Sequence, residues 1–95
     1  MAKAYWIAHV TVTDTDQYKH YAGDAPVAFK KYGAVFLARG GASEQMEGNG
    51  RPRNVVVEFP SLQAARDCYN SAEYQAARAK RIGAGEADIV IVEGV

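Results

Sequence analysis

Ninety-five residues, 48% of them hydrophobic, fit one small globular domain over residues 1–95 whose core is modest. Eleven Lys and Arg balance eleven Asp and Glu, so the chain carries no net charge. Nothing in that balance draws it towards nucleic acid or an anionic membrane surface, and both are excluded as partners.

Met1-Ala2-Lys3 leads straight into residues 4–12 (AYWIAHVTV), whose aromatic and β-branched content predicts a first strand. The opening has no basic-then-apolar leader, and no apolar run is long enough to span a bilayer. Asp14 offers an N-cap with Gln17 at capping-box spacing. Behind it Tyr18, Tyr21, Ala22, Ala25, Phe29 and Tyr32 recur at helical intervals, and Gly33 supplies the stop. Pro26 interrupts this stripe and predicts a kink, or two short helices meeting near Asp24-Ala25-Pro26. Residues 34–39 form a second strand ended by Gly40-Gly41, with residues 44–46 as its continuation past a bulge or bend. Gly48-Asn49-Gly50 closes a hairpin to a third strand at residues 54–59. Pro60 ends that strand and Ser61 caps a helix through Ala64, Ala65, Cys68 and Tyr69. Asn70-Ser71 reads as a break and a fresh cap, with Tyr74, Ala77 and Arg78 on the next turns. Gly83 and Gly85 close the helix, and residues 87–92 are the last strand. Cys68, the single cysteine, reads as a small buried hydrophobe; with no disulfide to form, a reducing, cytoplasmic setting fits best.

The order strand, helix, strand, strand, helix, strand with right-handed crossovers is an α+β fold. It is a ferredoxin-like βαββαβ sandwich with a four-stranded antiparallel sheet. Alternation puts Trp6, Phe36, Val55, Val57, Phe59, Ile89 and Ile91 under the helices. The opposite face still holds Tyr5, Ile7, Val35, Leu37, Val56, Val90 and Val92. Two helices cannot cover both faces, so a bare monomer would leave an apolar patch of roughly several hundred Å². A two-fold homodimer that packs these faces together is the expected solution.

The same alternation sets His9, Arg39, Glu58 and Asp88 into that second face. A charge there is costly unless paired, so an Arg39–Glu58 ion pair between neighbouring strands is expected. The pair either fixes register or orients a ligand; the residues leave both open. His9 is either a general acid or base or a histidine satisfied by a neighbour. Tyr18, Tyr21, Tyr69 and Tyr74 read mostly as helix core, with one hydroxyl free to face a pocket. Arg78, Lys80 and Arg81 complement a helix C-terminus, an anion site being the weaker alternative. The candidate ligand-binding set is His9, Tyr18, Arg39, Glu58 and Tyr74. No metal-ligand spacing and no phosphate loop occurs, and no cofactor is expected, although haem ligation through His9 is left open.

Several segments resemble the domain of unknown function 1330 family. They are Tyr5-Trp6-Ile7-Ala8-His9-Val10, Phe36-Leu37-Ala38-Arg39-Gly40-Gly41, Val57-Glu58-Phe59-Pro60-Ser61 and Asn70-Ser71-Ala72-Glu73-Tyr74-Gln75, with Arg78. The resemblance runs in order over nearly the whole chain. It implies a dimeric α+β barrel, in which two ferredoxin-like subunits join their sheets. That superfamily includes cofactor-free monooxygenases, muconolactone isomerase-like enzymes, haem-dependent dismutases and stress-responsive proteins, so it transfers no catalytic residue. The resulting expectation is a pocket beside the sheet for a small aromatic or carboxylated molecule, serving a monooxygenase- or isomerase-like enzyme. The rival is a non-catalytic homodimer acting in stress response or partner binding.

Overall fold

A computed structural model describes residues 2–95; Met1, read above as part of the lead into the first strand, lies outside them. The elements are β1 (Ala4–Val12), α1 (Thr15–Lys31), β2 (Val35–Arg39), β3 (Arg53–Phe59), α2 (Leu62–Asn70), α3 (Ala72–Arg81) and β4 (Gly85–Glu93). The strands pair antiparallel in the order β2-β3-β1-β4, the ferredoxin-like arrangement, as one open sheet. The helices cover one face.

The helix ends follow their side chains. Asp14 accepts from the Gln17 amide, and Gly33 takes a positive φ of 76° just past α1. The Gln17 side chain does not return to the cap. It donates to the Lys80 and Ile82 carbonyls at 3.0 and 3.1 Å, tying the start of α1 to the end of α3. Ser71 serves both sides of the α2–α3 break: its hydroxyl donates to the Cys68 carbonyl and accepts from the Tyr74 amide.

One correction concerns Pro26. Of the two alternatives, a pair of short helices does not form: α1 runs through as a single helix. Tyr21, Ala25, Ala28 and Phe29 are all buried, so both sides of the proline are held by the same core. Proline has no N–H, so the Ala22 carbonyl loses its helical donor. That carbonyl instead accepts from Arg39 Nη2 at 3.4 Å.

A second correction concerns β2. The register runs Val35 to Glu58 and Phe36 to Val57, then resumes with Ala38 to Val56 and Arg39 to Val55. Leu37 is therefore the extra residue of a β-bulge, and everything after it swaps faces. Arg39 lies on the helix side, beside Phe36, and not on the open face where unbroken alternation put it. Residues 44–46 do not extend the strand. Their loop is pinned by Arg51, which reaches Asp88, Thr11 and Glu86, and by a hydrogen bond from Asn54 to Ser43.

Trp6 is at the centre of the core. Its ring meets Phe29 and Tyr74 edge-on at 5.1 and 4.9 Å and stacks on Phe59 at 5.9 Å. Cys68 is fully buried, as expected for a small hydrophobe, and burial pushes its thiol up to about 12. On the open face Val35, Leu37, Val90 and Val92 stay 45–54% exposed, an apolar surface that no helix covers.

Candidate functional site

Between the sheet and α1 is a cavity of about 40 Å³. Trp6, Ala8 and Val10 of β1 form its floor, and Tyr18, Tyr21 and Phe29 of α1 its roof. Into this apolar space the fold brings three guanidinium groups, those of Arg39, Arg53 and Arg81.

Each arrives by a different local device. Arg39 is turned inward by the bulge, lies over the Phe36 ring at 4.4 Å, and is held by the carbonyl that Pro26 frees. Arg53 opposes Val10 in the register, which fixes it on the helix side, and lies 5.7 Å from the Tyr18 ring. Gly40 makes room for it. A Cβ at that position would collide with the Arg53 guanidinium, and the backbone there has φ +66°. The Arg-Gly-Gly segment thus supplies one cavity arginine and the clearance for another. Arg81 ends α3 on the stripe of Tyr74 and Ala77 and is almost fully buried.

Arg81 is clasped by phenols. Its Nη1 donates to the Tyr74 hydroxyl at 3.1 Å and to the Tyr21 hydroxyl at 3.4 Å, and the two hydroxyls are 2.9 Å apart. Burial, reinforced by Tyr74, pushes the Tyr21 phenol far above its ordinary range. Tyr74 is raised as well, burial outweighing the opposing effect of Tyr21 and Arg81. For Arg81 burial works against the cation, but the two phenols more than offset it and its pKa rises. At neutral pH the group is two neutral phenols around one cation.

Among the described residues no carboxylate lines this cavity, and none of its three arginines forms an ion pair. Arg53 Nε is buried without any hydrogen-bond partner. The open face is the reverse. His9 Nδ1 is 2.5 Å from Asn54 Oδ1, Glu58 pairs with Lys3 at 3.5 Å, and Asp88 pairs with Arg51 at 2.9 Å. The expected Arg39–Glu58 ion pair does not form: Glu58 is opposite Val35, at the other end of β2, and the bulge turns Arg39 to the opposite side of the sheet.

Of the five expected site residues, Tyr18 and Arg39 line the cavity and Tyr74 stands behind Tyr21. His9 and Glu58 face away from it, on the open side. Sequence reasoning missed Arg53, reached Arg81 only through the weaker anion-site alternative, and left Tyr21 as one of four tyrosines of which one could face a pocket. Two signals were available: alternation carried back from Val55 reaches Arg53, and helical spacing from Tyr74 reaches Arg81. The described residues hold no group of three metal-ligating side chains, and none of their helices is long and apolar enough to cross a membrane.

Solved structures share this architecture. A protein of unknown function from Rhodopseudomonas palustris superposes with a TM-score of 0.76 at 15% identity, over 99% of this chain and 83% of that one. SnoaB, a cofactor-independent oxygenase from Streptomyces nogalater, gives 0.69 at 9% identity, over 100% and 95%. A dimeric protein of unknown function and ferredoxin-like fold from Bacteroides fragilis gives 0.58 at 15% identity, over 97% and 96%. At these identities the likeness is one of fold. None of the curated proteins compared with the chain matches it. The family model described as Domain of unknown function (DUF1330) matches residues 3–95, so the chain, with its bulged Arg-Gly-Gly strand, belongs to that family.

Proposed function

We propose that the protein binds a small aromatic molecule in the helix-side cavity, and that it does so as a homodimer joined through the open sheet faces. The observation that carries the binding reading is the cavity itself, an aromatic-walled space lined by three guanidinium groups that no carboxylate neutralises. Tyr18 and Arg39 touch the ligand in this reading, and Tyr74 positions Tyr21. His9 and Glu58 belong to the dimer interface. The fold it shares with the cofactor-independent oxygenase supports an enzyme that works without a cofactor; a monooxygenase- or isomerase-like reaction is the corresponding proposal.

One observation favours the rival, a non-catalytic dimer. About 40 Å³ holds a few waters and not a ring, so a ligand has to displace a wall. Trp6, the only tryptophan, is in the cavity floor and reports the outcome. Titrating a panel of aromatic metabolites while following Trp6 fluorescence and melting temperature should reveal members that change both. A panel in which no compound changes either leaves the non-catalytic dimer standing.

A further inference from the structure

We infer that the ligand of the helix-side cavity carries an oxyanion on a flat apolar body, and that Arg53 and Arg39 bind the anionic end. This rests on the binding reading above and narrows it to a chemical class.

The polar groups around the cavity are donors. Arg39, Arg53 and Arg81 can only donate, and the acidic residues that usually accompany buried arginines are missing from the wall. Arg53 Nε is the clearest case, a buried N–H with no partner. The tyrosines can add one more donor. Tyr21 and Tyr74 own two hydroxyl protons, and the hydrogen bond between them uses one, with either oxygen able to donate. Arg81 donates to both oxygens and takes no proton up. One phenolic proton is left over. An acceptor in the cavity favours the arrangement in which Tyr74 donates to Tyr21 and Tyr21, which lines the cavity, donates to the ligand.

Arg39 is exposed at the edge strand, so it forms the mouth. Its hydrogen bond to the Ala22 carbonyl is long at 3.4 Å and easily exchanged for one to a charged oxygen. The same exchange lets Arg39 move and widens the cavity for a ring. Trp6 and Phe36 supply the apolar surface against which that ring lies. A cation would meet three guanidinium groups and be rejected.

The test compares benzoate, benzamide and benzylamine, one ring with anionic, neutral and cationic ends, by calorimetry and Trp6 fluorescence. Benzoate should bind about tenfold or more tighter than benzamide, and benzylamine should not bind. 4-Nitrophenol distinguishes a carboxylate from a phenolate ligand: a lowered ionisation midpoint on binding marks phenolate recognition. In Arg53→Gln the preference for benzoate over benzamide should shrink, with the melting curve confirming that the variant folds. Should that variant not fold, the wild-type comparison still decides. If benzamide binds as well as benzoate and 4-nitrophenol shows no shift, the oxyanion assignment is wrong while the binding reading survives. If none of the four probes binds, both are wrong.

Discussion

Tyr74 has no exposed surface, yet its hydroxyl is engaged by Tyr21 and Arg81. Tyr74→Phe keeps the ring packing against Trp6 and removes only the oxygen. It should destabilise the fold by about 1–3 kcal/mol, since Arg81 loses one of its two acceptors in a buried place; urea unfolding measures this. The same burial sets a pH dependence. Folded Cys68, Tyr21 and Tyr74 hold their protons to higher pH than the unfolded chain does. Their contribution is complete below the unfolded values, near about 8.5 for a thiol and 10 for a phenol. It is lost as pH rises through the folded values, so unfolding midpoints should fall steadily from about pH 9 upward. Absorbance at alkaline pH should show two of the six tyrosines ionising only as the chain unfolds. Ionisation of all six while native circular dichroism persists would contradict the buried pair.

At the level of elements, α1 and β2 form the cavity mouth between them. Pro26→Ala would restore the helical amide and let the Ala22 carbonyl close its ordinary bond. A rise in stability of about 1–3 kcal/mol is expected, together with a looser Arg39, whose acceptor is now shared. A lower melting temperature would instead show that the proline ring is needed as cavity wall. Gly40→Ala should cost about 1–3 kcal/mol, from the positive φ and from the displaced Arg53 guanidinium. The strands, the caps and the Ser71 break could be read from the sequence because alternation, capping side chains and helical spacing are local signals. The cavity could be read only in part: spacing reaches Arg53 and Arg81, but not Arg39. Its composition turns on the bulge at Leu37, which no residue type announces, and on Pro26, whose lost hydrogen bond is repaired from another element. Both depend on contacts between segments far apart in the chain.

The molecule measures 37 × 33 × 17 Å, one sheet and one layer of helices thick. A slab that thin has no third layer, and the side without helices exposes Val35, Leu37, Val90 and Val92. In the proposed dimer a second copy supplies the missing layer, while each cavity stays on its own subunit's far side. Val90→Asp should therefore yield monomers in sedimentation velocity without abolishing ligand-induced changes in Trp6 fluorescence. A wild-type protein that sediments as a monomer at all concentrations would remove the dimer from the proposal. Retention of dimer by Val90→Asp would move the interface elsewhere.

The bulge makes strand register, rather than residue identity, the determinant of what the cavity contains. Deleting Leu37 would change no charge and leave Ala38 opposite Val56 and Arg39 opposite Val55, so plain alternation would then keep Arg39 inward. A family member one residue shorter between the Phe36 and Gly40 positions would hold the arginine in its cavity with no bulge at all. A chain of the present length that paired without the bulge would instead lack one anion contact and present a new positive charge on the open face. Pairing alone, at constant composition, thus decides which side of the sheet receives a guanidinium.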